Sequence, residues 1–297
     1  MPLAPVAQMD RVLPSEGRGR TFESCQAHQT SLFLLTLFLC LPGLKKKTMI
    51  LCLDAGNTRV KCGLHDGQNW CLQQAFGYDA LPELANLLPT LLSVSSSGLQ
   101  LMAPRHMVAC NVAGAIVRLQ IEQLAQQLAI PVTWLESASA GFGVRNNYDH
   151  PAQLGADRWA GLIAARALSI EASIIVQAGT ATTIDLLDAE GVFRGGLILP
   201  GLTLMRHSLA SNTNQLADVS GHFNLLPTNT NDAIANGTLY ATLGAIERMR
   251  NVHDIAQCIL SGGAAADLLP HLAAPIRQVN HLVLEGLLQI AKASPFA

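Results

Sequence analysis

The sequence predicts an α/β protein made of two similar halves. Short apolar runs that stop at Asp or Gly read as buried strands, and runs with three-and-four apolar spacing between them read as helices. One compound pattern also occurs twice. An apolar strand, a turn built on Gly and Thr, and a returning strand appear from Met49 and again about 120 residues later, close to one domain length. The 297 residues suffice for two ordinary domains. A composition of 49% hydrophobic and 13% charged residues supports a large core and argues against disorder. We expect domains at 49–168 and 169–297, with a ligand cleft between them.

Met49-Ile50-Leu51-Cys52-Leu53 is apolar throughout and ends at Asp54, which predicts a buried strand entering a turn. Val60–Leu64 is expected to return, with a hairpin turn at Asp66-Gly67. Leu81–Leu88 has helical spacing, and Pro89 is expected to limit it. Ser95–Gly98 reads as a loop. Met107–Val112 predicts a strand. Val117, Ile121, Leu124 and Leu128 share a helix face. Pro131–Leu135 predicts a strand and Leu154–Leu168 a helix. The second half restarts with a strand at Ser173–Gln177 and another at Thr182–Leu187. A turn at Asp188–Gly191 follows, then a returning strand at Val192–Ile198. Helices are expected at Leu202–Leu209 and Asp232–Met249. A last strand, Ala256–Leu260, runs into Ser261-Gly262-Gly263.

Residues 1–48 do not read as part of either domain. Residues 1–30 are polar and without periodicity. The apolar run Leu32–Leu41 is shorter than the roughly 20 residues a membrane-spanning helix needs. Pro42-Gly43-Leu44-Lys45 follows it, where a signal peptide would carry a small-x-small cleavage site. Gly19-Arg20-Thr21-Phe22-Glu23-Ser24-Cys25 resembles a tRNA gene read as protein, so the expected start is Met49. Seven cysteines without a Cys-x-x-Cys pair suit a reducing compartment, read here as the cytoplasm, and no zinc-ligand spacing is present. A formal net charge of -2 offers no basic field for nucleic acid.

The two Gly-Thr turns suit a phosphate chain, which needs close backbone N–H groups, hydroxyl donors and a metal partner. Gly56 permits close approach of the backbone. Asn57 and Thr58 can donate hydrogen bonds, and Asp54 can organise Mg²⁺ through oxygen. Arg59 or Lys61 adds a cation. Gly179 and Thr180 would clamp from the second half. Either turn alone is also what an ordinary hairpin uses. No Gly-x-x-x-x-Gly-Lys-Ser/Thr loop and no Gly-x-Ser-x-Gly elbow occurs. The densest chemical cluster is Tyr148-Asp149-His150 with Gly155-Ala156-Asp157-Arg158, placing Asp157 and Arg158 in the first turn of a helix. There Asp157 is expected to stay ionised and accept a hydrogen bond from a substrate hydroxyl, the one such group phosphoryl transfer needs. Arg158 can grip a carboxylate with both prongs. A helix-capping Asp beside a salt-bridged Arg is the alternative.

Together these residues resemble the type III pantothenate kinase family, of the actin-like and sugar-kinase ATPase superfamily with two ribonuclease-H-like domains. Asp54-Ala55-Gly56-Asn57-Thr58-Arg59-Val60-Lys61 is similar to its first phosphate motif and Gly155-Ala156-Asp157-Arg158 to its pantothenate motif. Ala178-Gly179-Thr180-Ala181-Thr182 resembles the second phosphate motif. Gly195–Gly201 and Ser261-Gly262-Gly263 are similar to further signatures. The resemblance implies ATP and Mg²⁺ as cofactors, pantothenate as substrate, Asp157 as proton acceptor, and Tyr148, Gly155, Ala156 and Arg158 around pantothenate. It implies a homodimer in which Thr213 reaches the neighbouring subunit's substrate. Gln177 stands where the family usually has an Asp that binds a monovalent cation, K⁺ or NH₄⁺, so that requirement is expected to be weak or absent. Two other readings share the fold: a kinase for another small hydroxylated metabolite, and a non-catalytic nucleotide-binding regulatory protein.

Overall fold

In the computed structural model, residues 49–93, 103–212 and 221–293 are described, all within one compact unit, Lys47–Ala297. The readings of the leader 1–48, of the loop Ser95–Gly98 and of Thr213 lie outside the described residues. Two mixed sheets form the frame. The first has the order β3-β2-β1-β4-β5, from β1 (Met49–Ala55), β2 (Val60–His65), β3 (Trp70–Phe76), β4 (Pro104–Asn111) and β5 (Val132–Trp134). β1, β2 and β3 pair antiparallel in sequence, whereas β1–β4 and β4–β5 pair parallel.

The second sheet repeats this plan. It runs β12-β11-β8-β9-β10-β7-β6, built on β8 (Ser173–Ala178), β9 (Ala181–Leu187), β10 (Val192–Pro200), β11 (Cys258–Ser261) and β12 (Ile276–Gln278). Again the first three pair antiparallel, and β8–β11 and β11–β12 pair parallel. The duplication expected from the sequence is thus a duplication of topology. β10 is extended by β7 (Val144–Asn146) and β6 (Ala140–Gly141), which precede β8 in the chain.

Helices fill the layers. α1 (Leu84–Ser93) follows a 3-10 turn at Tyr78–Glu83 and continues past Pro89, which forfeits one backbone bond without ending the helix. α1 and α2 (Ala115–Gln127) cover the outer face of the first sheet, where Leu51, Leu53, Leu84 and Ile121 share a core. α5 (Thr230–His253) covers the outer face of the second sheet with α4 (Leu202–Asn212) and α6 (Ala265–Leu268), over Ile174, Val176, Ile184 and Leu260. Between the sheets lie α3 (Ala156–Leu168) and α7 (Leu282–Ala293). Their core joins Ile50, Cys52 and Val108 of one sheet to Ile175, Leu187 and Ile259 of the other.

The chain crosses between the sheets on both sides of position 168/169. β6 and β7 precede it yet belong to the second sheet, β7 pairing with β10 and β6 with β7. α7 follows it yet packs on α3, β1 and β4. The Trp70 indole donates to Glu285 of α7 at 2.7 Å, tying this helix to β3 as well. Strand β3 and helix α7 were not expected from sequence. β3 is a half-exposed edge strand carrying Gln73 and Gln74, without clean alternation. α7 is buried on nearly every side, so it lacks a polar stripe to mark its period.

Candidate active site

Both repeats end their first strand at the same place. β1 ends at Asp54-Ala55 and β8 at Gln177-Ala178, each followed by Gly and the tight turn into the next strand. Gly56 N–H donates to the Arg59 carbonyl at 3.2 Å and Gly179 N–H to the Ala181 carbonyl at 3.0 Å. Asn57, Thr58 and Arg59 are exposed at the first tip. The two tips meet: the Thr58 and Thr180 hydroxyls lie 2.8 Å apart. The sequence brought these turns together only by analogy between the repeats; the fold brings them into contact. A phosphate chain entering here could accept from both hydroxyls in place of the bond between them.

Asp54 and Lys61 lie opposite one another on β1 and β2, and Lys61 Nζ donates to Asp54 Oδ2 at 2.8 Å. Asp54 is 2% exposed, and its Oδ1 faces the Cys110 thiol at 3.6 Å. Burial works against the Lys61 ammonium, but Asp54 outweighs it and raises the lysine pKa. Ala55 and Val60 are buried and contribute backbone only. The Tyr78 hydroxyl donates to the Gly56 carbonyl and braces the turn; burial, with help from Asp54, pushes its pKa up to about 12.

The second turn is braced from behind. A Cβ on Gly201 would sit 2.1 Å from the Gly179 carbonyl oxygen, and Gly201 N–H donates to the Thr180 carbonyl at 2.8 Å. Gly262, at φ +104°, approaches the Ala178 backbone as closely. Within the Gly195–Gly201 and Ser261–Gly263 segments, Gly201 and Gly262 are thus the glycines that pack on this turn.

Asp157 is the second residue of α3, whose N-cap is Gly155. It is not the cap. Its Oδ1 accepts the Arg158 N–H at 2.8 Å, and Oδ2 has no donor among the described residues. Burial and then the Asp54 carboxylate raise its pKa, against the pull of Arg158 and Lys61. The raised proton affinity differs from the expectation drawn from the helix dipole alone, because α3 starts between two sheets rather than in water.

Arg158 is not free to fork a ligand carboxylate. It is 4% exposed, and its Nε lies 3.2 and 3.1 Å from the two oxygens of Asp185, to which Nη2 also donates. The bidentate grip expected for a substrate is made here inside the protein. Its Nη1 donates to the Tyr148 hydroxyl at 2.7 Å, which brings Tyr148 and Arg158 together. Gln177 donates from Nε2 to the Asp157 carbonyl at 3.4 Å.

Four neighbours of the site escaped sequence reading: Asp185, Tyr78, Cys110 and His281. Asp185 carried a signal, a carboxylate within the apolar strand Ile184–Leu187, where burial demands a partner. The others became neighbours only through folding. His281, ahead of α7, has its pKa lowered by burial and then by Lys61.

Two mixed sheets of repeated topology, with facing Gly-Thr turns and one carboxylate at a helix start, give the chain the actin-like and sugar-kinase fold. The solved structures agree on the fold. A Campylobacter jejuni protein described as a Baf family transcriptional activator superimposes with a TM-score of 0.56 at 19% identity, over 83% of this chain and 100% of that one. A Sinorhizobium meliloti protein described as a 2-dehydro-3-deoxygalactonokinase gives 0.51 at 14% identity, over 82% and 98%. The family model for type III pantothenate kinase matches residues 50–252. Type III pantothenate kinases of Aromatoleum aromaticum and an Azoarcus species are 44% and 46% identical, each over 82% of this chain and over 98% and 91% of their own lengths. The chain belongs to the type III pantothenate kinase family, a family of phosphotransferases.

Proposed function

We propose that the chain transfers the γ-phosphoryl group of ATP to the primary hydroxyl of pantothenate, giving 4'-phosphopantothenate, the first step of coenzyme A biosynthesis. The observation that carries this is the placement of Asp157, with one carboxylate oxygen undonated, at the start of the helix between the two sheets. The hydroxyl oxygen attacks the γ-phosphorus, the bond to the β–γ bridging oxygen breaks, and ADP leaves. Asp157 takes the hydroxyl proton. Its raised proton affinity, from burial first and Asp54 second, suits that task. Gly56, Asn57, Thr58, Gly179 and Thr180 would hold the phosphates, with Arg59 and Lys61 as nearby cations. Gly155, Ala156, Tyr148 and Arg158 would form the pantothenate wall, Arg158 mainly by fixing Tyr148. Domains at 49–168 and 169–297 remain our division, with β6, β7 and α7 exchanged across it.

No cluster of three His, Cys, Asp or Glu side chains able to hold a metal occurs among the described residues. A single buried carboxylate, Asp54, fits an Mg²⁺ carried in with phosphates and water. When bound, such an ion neutralises charge on the phosphates. A monovalent cation fits poorly, because Gln177 offers a neutral amide oxygen and no charge at that position. Turnover is expected to persist when K⁺ is exchanged for a non-coordinating organic cation; complete loss of activity would refute this.

A homodimer is supported by the exposed apolar residues Leu197 and Ile198 on β10, Leu204 on α4 and Tyr240 on α5. A cavity of about 810 Å³ opens between α4 and α5, lined among others by Met205, Ile234 and Ala241. Among the described residues no helix is long and apolar enough to cross a membrane, and we place the enzyme in the cytoplasm. The decisive assay is ATP consumption with and without pantothenate. Pantothenate-dependent ADP release is expected, and consumption that ignores pantothenate would point to the other readings.

A further inference from the structure

Asp185 is absent from every motif named above, yet it is 0% exposed and sits in the middle of β9. In register it lies between Ile175 of β8 and Gly196 of β10. A carboxylate in that position needs a partner, and both its oxygens face Arg158 across the inner face of the sheet. The site is shaped around the pair. A Cβ on Gly196 would fall 2.1 Å from Asp185 Oδ1 and 3.0 Å from Arg158 Nη2. The Arg158 guanidinium also lies 5.6 Å from the ring centroids of both Tyr148 and Phe193, and those rings stand 5.2 Å apart. Its remaining prong, Nη1, holds the Tyr148 hydroxyl.

A buried fork with two of its nitrogens committed to Asp185 can point its third in only one direction. We infer that Asp185 is a positioning residue: by locking the Arg158 guanidinium against β9 it fixes the Tyr148 hydroxyl at the acceptor-substrate end of the cleft, and so sets affinity for the phosphoryl acceptor without touching it. This inference rests on the functional reading above, in which Tyr148 lines the pantothenate wall. Asp185 is distinct from the phosphate turns, which are held by Tyr78, Gly201 and Gly262. Loss of its charge therefore strikes the acceptor end and spares the nucleotide end.

The test is steady-state kinetics of the full chain with both substrates varied. Asp185→Asn is expected to raise the KM for pantothenate at least tenfold and to leave the KM for ATP within twofold. Tyr148→Phe, which leaves the buried pair intact, is expected to raise the pantothenate KM similarly. In the double variant the two effects should not multiply, because both remove the same oriented hydroxyl. If Asp185→Asn does not fold, Arg158→Lys keeps the charge, loses the fork and should give the same acceptor-selective loss. Equal loss of affinity for both substrates, multiplicative losses in the double variant, or an unchanged pantothenate KM in Tyr148→Phe would each overturn the positioning role. Absence of pantothenate turnover in the unsubstituted chain overturns the functional reading itself. Turnover without an acceptor-selective effect overturns only the role of Asp185.

Discussion

Asp157→Asn is expected to lower kcat with pantothenate by about two to four orders of magnitude, the range for losing a general base, while ATP still binds. Asn keeps the size of the side chain and can still accept the Arg158 N–H, so α3 keeps its start. It cannot take a proton. The substitution leaves unaltered the two turns and the Asp54–Lys61 pair, which we propose hold the nucleotide. The pH profile provides a second reading. The folded pKa of Asp157 lies above the ordinary carboxylate value, from burial first and Asp54 second. Activity of the unsubstituted enzyme should therefore fall as the pH drops through that raised value, and the variant's residual rate should lack this limb. Nucleotide affinity measured by calorimetry checks the first half of the expectation. A variant with unchanged turnover would reduce Asp157 to a helix-start residue.

Arg158→Met is expected to cost about 3–5 kcal/mol of folding stability at neutral pH, the usual loss when a buried ion pair is broken from one side. The Arg158 and Asp185 side chains are 5% and 0% exposed, so water cannot replace the missing partner. Burial already pushes the Asp185 pKa up, and Arg158 limits the rise. Without Arg158 the folded pKa climbs further above its unfolded value. A group of that kind destabilises little below its unfolded pKa and increasingly as the pH rises past it. The deficit should therefore be larger at about pH 8 than at about pH 5. Urea unfolding midpoints at the two pH values measure it. A deficit independent of pH would place the cost in lost packing instead of an orphaned carboxylate.

The repeated strand–turn–strand unit was legible because it is local. Asp54-Ala55-Gly56 and Gln177-Ala178-Gly179 announce a strand ending in a tight turn without reference to anything distant. The contact of Thr58 with Thr180, 122 positions apart, was legible only by supposing that the repeats face each other. Arg158 shows where such reading stops. Its sequence neighbours mark it as a site residue, but what its guanidinium grips is decided by Asp185, 27 positions later on another element. A strand with one carboxylate asks for a partner and cannot say which. The same holds for β6, β7 and α7, whose sheets are chosen by edges and faces left open elsewhere in the fold. Local periodicity reports how much of a segment is buried, not what buries it.

The return of α7 to the first sheet bears on how the molecule is made. A ribosome delivers β1, β2 and β4 long before Leu282, yet Leu284 and Leu287 complete the core that holds Ile50, Cys52 and Val108. Until the last dozen described residues emerge, that apolar face waits partly uncovered, a surface for chaperones to hold. A chain cut short before Leu282 keeps both Gly-Thr turns and α3 in its sequence, yet lacks the helix that packs on α3, β1 and β4. Helix α7 thus acts as a late seal: the first half of the fold can shut only once Leu282–Ala293 has been made.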